Sequence, residues 1–321
     1  MKKDKTKVAK KPIKFNIVIV LLFTVLMLYA LSIIVVLLWG FLTTLKDPID
    51  FRDFGNVLGL PDMKWSANEV KFYNYVDMIE RGFKVRINDK SYYSGIFGAV
   101  SLPEKTVYFP ELLLNTIVYA VVGALLNAFT AMTAGYLCAK FKYKYSSIVY
   151  STILITMVVP IVGSTPSMLK VLYDLGLFSS YLGMIIMNIN IGGMYFLVFF
   201  AFMKGLSNTF IEAAEIDGAS QFKIFTQIII PLSSKIIFTV FLLQFITYWN
   251  DYQTPLVYYP TLPTLAYAVQ QNEAGTQGGT RYNSVPLKVT ACFIIAIPIL
   301  IIFISLNKVI LGSLSLGGVK E

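Results

Sequence analysis

Six long apolar runs constrain this chain more than any other feature. A membrane-crossing helix needs about 20 apolar residues to match the bilayer's hydrocarbon thickness. Phe15–Leu42, Leu112–Cys138, Ser147–Leu169, Tyr181–Met203, Ile236–Tyr258 and Val289–Leu306 meet that length in a chain of 321 residues. Only 14% of its residues are charged and 56% are hydrophobic, whereas a soluble domain carries roughly a quarter charged residues. The expected class is therefore a polytopic all-α membrane protein. The first run is too long for a signal-peptide core and has no small-residue cleavage site, so it reads as an anchor.

Charge sets the expected topology. Seven lysines (2, 3, 5, 7, 10, 11 and 14) precede the first run against Asp4 alone. Beside an apolar segment such a cluster marks the cytoplasmic end by the positive-inside rule, and nucleic acid is not implied. Six spans then return the carboxyl end to the cytoplasm. Lys140, Lys142 and Lys144 fall in the second-to-third connection, which this topology also places inside. The expected layout is a basic tail (1–14), a first span (15–42), an extracytoplasmic insert (43–111), a five-helix core (112–306) holding a cytoplasmic loop (204–235), and a cytoplasmic tail (307–321). Within the insert, the stretch from Lys46 to Pro110 balances nine basic against nine acidic residues and is rich in aromatics, so a small folded element with a helix near Val70–Arg81 is expected.

Chemistry is narrowed mostly by what the chain lacks. It contains no histidine, which removes the commonest general base and metal ligand. Cys138 and Cys292 both lie in apolar runs, and nothing argues for pairing them. No GxxxxGK[ST] loop occurs, so nucleotide must be bound by another chain if it is used at all. No cofactor and no metal are expected. Five of the six spans hold no Asp, Glu, Lys or Arg, and the exception is Asp251 in span five, about 23 Å along a helix that starts at Ile236. Proton- or ion-coupled carriers mark their pathways with intramembrane charge, so a secondary transporter is the weaker alternative. Span five does gather Gln244, Asn250 and Asp251, which makes these the candidate pathway residues. Span three gathers Pro160, Gly163, Ser164, Thr165 and Pro166, a proline kink or a pathway break.

The loop Lys204–Lys235 reads as two short helices. Thr209 and Glu212 are spaced as a capping box, Gly218 suits a C-terminal stop and Ser220 a second cap. Phe222, Phe225 and Ile229 fall on one expected face, and Pro231 is expected to end the unit. Such an amphipathic hairpin would lie on lipid or dock into a partner's groove.

The segment EAAEIDGASQFKIFTQIIIP, Glu212–Pro231, resembles the EAA loop of ABC-importer permeases: EAA, then Gly218, nine residues, an apolar triplet and a proline. WNDYQTPLV (Trp249–Val257), DLGLFSSYLGMI (Asp174–Ile185), NYVDMI (Asn74–Ile79), LLLNT (Leu112–Thr116) and LGGVKE (Leu316–Glu321) resemble the carbohydrate branch of that family, in particular its smaller maltose-type permease subunit. Residues 80–110 match no part of that pattern. The resemblance implies a type I importer fold with six transmembrane helices, a cytoplasmic EAA helix-turn-helix and an extracytoplasmic insert, in a prokaryotic plasma membrane with both termini cytoplasmic. It implies four kinds of partner: a second homologous permease, ABC ATPase subunits, an extracytoplasmic solute-binding protein and membrane lipid, with no nucleic acid. It also implies that Glu212, Ala213, Ala214, Asp217 and Gly218 couple to an ATPase, Glu212 by pairing with a basic residue there. Gly317 and Gly318 in the tail would contact the ATPases. A phosphate, metal or amino-acid importer would share the EAA loop but lack the WNDY segment.

Overall fold

The computed structural model describes residues 17–48, 51, 57–59, 61, 72–87, 104–141, 143–159, 163–273 and 283–314, with side chains through Ser305. The basic tail, Lys142, Pro160, Gly317 and Gly318 lie outside the described residues.

One long helix organises the rest. α3 (Phe109–Lys140) is about 48 Å long at 1.5 Å per residue. Half of its buried residues are alanine or glycine: Ala120, Gly123, Ala124, Ala128, Ala131, Ala134 and Gly135 recur at helical spacing. Without a hydrophobic drive between helices in lipid, small residues gain close packing by letting backbones approach. Gly135 shows how close. A Cβ there would lie 2.9 Å from both Phe199 Cβ and the Phe200 nitrogen of α7 (Met194–Gly205). The other long neighbour is α10 (Ile230–Trp249).

Two of the expected runs are broken, span three at the proline and glycine cluster expected to kink or interrupt it. Span three is two helices, α4 (Lys144–Val158) and α5 (Ser164–Asp174), turning at Gly163 with φ 81°. Span four is also two, α6 (Tyr181–Met187) and α7, separated by residues 188–193. Glycine and asparagine in those gaps favour turns over helix, which apolar content alone does not register. Among the described residues, four helices are long and apolar enough to cross a membrane: α1 (Ile17–Thr44), α3, Gln221–Trp249 and Val285–Ser305. α7 makes a fifth only if joined to α8 (Thr209–Ile216) across a 68° bend. α8 carries exposed Glu212 and Glu215, which would be costly in lipid, so it does not extend a crossing.

The insert folds against the far ends of the spans. α2 (Tyr73–Asp77) runs into a π turn, Met78–Gly82, so helical backbone covers the described part of the expected Val70–Arg81 helix from Tyr73 onward. β1 (Lys84–Ile87) and β2 (Lys105–Tyr108) pair antiparallel with Val85 opposite Val107. Met78, Phe83, Val85 and Val107 share one apolar core with Leu265 and Ala268 of α12 (Leu265–Glu273) and Leu287 of α13 (Val285–Leu314). Asn272 Nδ2 donates to the Gly82 carbonyl at 3.0 Å. Asn74 Nδ2 reaches back to the carbonyls of Thr44 and Lys46 at 2.7 and 2.8 Å, fastening the end of α1. The rest of α1, from Ile17 to Leu38, is exposed and nearly wholly apolar, as a lipid-facing helix requires.

Candidate functional site

At the opposite end, the loop between α7 and α10 forms a seated helical hairpin. Lys140, the last residue of α3, donates from Nζ to the Leu206 carbonyl at 2.6 Å and to Asn208 Oδ1 at 2.8 Å. The first contact satisfies a carbonyl that the end of α7 leaves open. The second occupies the Asn208 side chain, and α8 then starts with no side-chain cap. The expected capping box is therefore absent. Thr209 lies inside the first turn, its N–H is taken by Ser207 Oγ at 3.2 Å, and the Asn208 carbonyl accepts from both Ile211 and Glu212 at 2.9 Å.

The turn of the hairpin is a Schellman motif. Gly218 adopts φ 78°, a left-handed conformation that disfavours side chains. Its N–H bonds the Glu215 carbonyl at 3.0 Å, and the Ala219 N–H bonds the Ala214 carbonyl at 2.9 Å. Ser220 Oγ then accepts from the Lys223 N–H at 3.4 Å, capping α9 (Gln221–Ile224). Gln221 Nε2 closes the hairpin on Glu215 Oε1 at 2.7 Å.

Pro231 does not end the unit. A π turn over Phe225–Ile229 joins α9 to α10, and the Ile230 N–H bonds the Phe225 carbonyl five residues back. The widened turn takes in a proline that has no N–H to give. It also rotates the apolar face. Ile224 and Ile229 point inward with Ala214, into a core shared with Met132 and Tyr136 of α3, Phe199 and Met203 of α7 and Val240 of α10. Phe225 packs on Tyr136 with ring centroids 5.1 Å apart. Phe222, expected on the same face as Phe225 and Ile229, parts from them and is 77% exposed.

The hairpin thus grips three helices and keeps an apolar outer surface. Ile216 is 87% exposed and Phe210 51%, beside exposed Glu212, Ala213, Asp217 and Gly218; Ala214 is buried. Large apolar side chains grouped on a polar loop mark an interaction surface. The sequence pattern placed Phe222 on one face with Phe225 and Ile229 and did not single out Ile216; the structure separates Phe222 from Ile229 and groups it with Ile216 among the exposed apolar residues. A three- to four-residue spacing that included Ile216 and ignored Pro231 would have found them.

The span-five residues lie elsewhere. α10 ends at Trp249, whose Nε1 donates to the Ile295 carbonyl at 3.0 Å. Gln244 is buried on α10. Asn250 caps the helix end and turns its Nδ2 back to the Ile246 carbonyl at 2.8 Å. Asp251 falls beyond the helix. Its Oδ2 accepts from the Tyr119 hydroxyl at 2.7 Å and its Oδ1 from the Thr254 N–H at 3.1 Å, starting α11 (Gln253–Tyr258). The expected span Ile236–Tyr258 is therefore two helices around a turn that Asn250 and Asp251 build.

Residues 131–315 match the model of a protein family described as "Binding-protein-dependent transport system inner membrane component". The chain belongs to this family. It is a permease subunit of an ABC importer: a multi-pass inner-membrane component, with ATP hydrolysis in partner subunits rather than here. The permease is 25% identical over 215 residues to the arabinooligosaccharides transport system permease protein AraQ of Bacillus subtilis, covering 67% of this chain and 75% of AraQ. It is 30% identical over 216 residues to the osmoprotective compounds uptake permease protein GgtD of Synechocystis, covering 66% and 70%. A bacterial ABC transporter involved in import of the acidic polysaccharide alginate contains a chain with the same fold, at TM-score 0.69, 19% identity, and coverage of 91% of this chain and 96% of that one.

Proposed function

We propose that this permease carries a sugar or oligosaccharide inward, as one of two homologous subunits whose six crossings each include the broken pairs α4–α5 and α6–α7. The hairpin end faces the cytoplasm with both termini. ABC ATPase subunits receive α8 and α9 in a cleft, and an extracytoplasmic solute-binding protein delivers solute at the insert. The observation that carries this reading is the two-sided hairpin: Ala214, Ile224 and Ile229 locked into the spans, Phe210, Ile216 and Phe222 left bare outside.

A lever needs this construction. Force on the outer face must reach α3, α7 and α10 without the hairpin deforming, and packed interiors transmit displacement because they yield little. Glu212 would meet a basic ATPase residue, Ala213 and Ala214 would allow close approach, and Asp217 and Gly218 would hold the turn. When the ATPases close, the hairpins would move with them and the spans would exchange inward- and outward-facing states. Coupling requires different contacts in the two states, not merely a tight grip in both. The tail glycines, Gly317 and Gly318, would add a second contact between the ATPases. Gln244, Asn250 and Asp251 stay candidates for the pathway, the last two while also holding a turn.

Sugar as the solute is supported by the WNDY segment and by similarity to AraQ; similarity to GgtD keeps an osmoprotective compound as the second reading. The test is copurification. Tagged wild-type chain should bring down an ATPase subunit, while Ile216→Asp with Phe222→Asp should lose it and remain in the membrane. ATPase retained at wild-type yield by the double variant would overturn the docking surface.

A further inference from the structure

α10 is a single rod between the two ends of the protein. It runs 20 residues from Ile230, next to the hairpin, to Trp249, about 28 Å away at 1.5 Å per residue. A hydrocarbon layer is about 30 Å thick, so with the hairpin at one edge Trp249 comes to the other. There the rod takes hold of a second helix. The buried Trp249 indole donates from Nε1 to the Ile295 carbonyl of α13 at 3.0 Å.

The carbonyl it holds stands beside a weak point. Pro298 lies inside α13, has no N–H for the Ile294 carbonyl four residues back, and crowds that turn with its ring. Helices bend at such prolines. Buried indoles ordinarily find some acceptor, but this one grips α13 one residue from the carbonyl that the proline releases. On the other side of the grip, α13 is tied to the outer structure. Phe293 packs on Phe41 of α1 with ring centroids 6.2 Å apart, and a Cβ on Gly40 would lie 3.1 Å from the Phe293 ring. Leu287 and Ile295 share one core with Trp249 and with Met78 and Phe83 of the insert. The part of α13 from Val285 to Ile295 is therefore a bar about 15 Å long, held by Trp249 at one end and packed under the insert toward the other.

We infer that Trp249 is a positioning residue for transport: its indole holds α13 beside Pro298, so that displacement of α10 at the hairpin is carried to the outer part of α13 and to the insert. The inference rests on the importer reading above and gives the lever an outer end. Trp249 acts on α13 and, through it, on the insert. Coupling between two sites is reciprocal. A binding protein seated on the insert therefore biases the hairpin through the same indole, and ATP hydrolysis by the partner subunits reports on the link.

The test is a double-mutant cycle in the complete transporter, reconstituted in vesicles with its ATPase subunits. The probe is the binding protein loaded with a sugar that the wild type transports, found from a panel of mono- and oligosaccharides. Trp249→Phe keeps an aromatic ring and loses the donor. It should lower the ratio of stimulated to basal ATP hydrolysis about three- to tenfold, within the range of coupling between contacting residues, with basal rate and ATPase yield unchanged. Pro298→Ala returns an N–H to the Ile294 carbonyl and draws Ile295 into a regular helical ladder, so it should lower the ratio similarly. The two together should do no more than either alone. Full stimulation in Trp249→Phe, or losses that add in the double variant, overturn the link. Basal and stimulated rates that fall in proportion, with a lower unfolding temperature, leave Trp249 as packing only and also overturn it. Should Trp249→Phe fail to reach the membrane, an unchanged ratio in Pro298→Ala overturns the link by itself. A wild type that brings down no ATPase subunit overturns the importer reading and the link with it.

Discussion

Lys140 hydrogen-bonds the hairpin's base to the central helix, and removing it should loosen coupling before it affects assembly. Lys140→Met keeps the apolar stem and loses both donations, to the Leu206 carbonyl at 2.6 Å and to Asn208 Oδ1 at 2.8 Å. Hydrogen bonds to charged groups contribute about 1.5–3 kcal/mol when well shielded. The Asn208 contact is exposed and the Leu206 contact only half-buried, so solvent screening reduces their joint worth to about 1–2 kcal/mol. That is roughly a five- to thirtyfold shift in the balance between seated and unseated hairpin. The apolar contacts of Ala214, Ile224 and Ile229 remain, so the chain should still fold and bind ATPase. The assay is solute moved per ATP hydrolysed in proteoliposomes, together with amide exchange across residues 206–220. Expected are a several-fold lower transport ratio, continuing ATP hydrolysis and faster exchange; Lys140→Arg should restore part of both. Unchanged exchange and an unchanged ratio in Lys140→Met would refute the strut.

Gly218→Val should distort the turn, since φ 78° is strained for a β-branched residue, and should abolish solute-stimulated ATP hydrolysis while membrane insertion persists; transport at the wild-type rate would count against the lever. Tyr136 buries its hydroxyl under the hairpin with no hydrogen-bond partner among the described residues, so Tyr136→Phe should keep coupling and raise thermal stability by about 1 kcal/mol, read as a higher unfolding temperature of the purified assembly; a lower one would show that the hydroxyl is used. Arg81→Ala with Arg86→Ala alters exposed positions around a buried insert core, and should weaken binding-protein stimulation without changing expression. Full stimulation would leave the insert as a cap on the span ends.

What could be read in the sequence was whatever depends on neighbours along the chain. The apolar runs, the Gly218 stop and the Ser220 cap each follow from a residue and those within four positions of it. The rest depends on distant partners. Thr209 loses its capping role because Ser207 takes its N–H and Lys140, 68 residues from Asn208, claims the adjacent side chain. That Asp251 also builds a turn shows only once Tyr119, 132 residues away, donates to it. The π turn that carries Pro231 arises because Ile224 and Ile229 must both reach the core under α3, and a proline's local preference does not register that pull. The break in span three was legible in Gly163 and its prolines, whereas the Asn-Gly run of 188–193 that breaks span four is averaged away by an apolar window.

The central claim, that the hairpin passes ATPase motion to the spans, is tested most directly by distance measurements across the assembled transporter. One spin label goes on Ile216→Cys and another on an exposed residue of the insert, Val76→Cys, both in a cysteine-free background. The account expects the label distance to change by several ångströms when nucleotide is added with loaded binding protein, and to stay fixed in Gly218→Val. A distance that does not move with nucleotide while transport proceeds, or that moves equally in Gly218→Val, would contradict it.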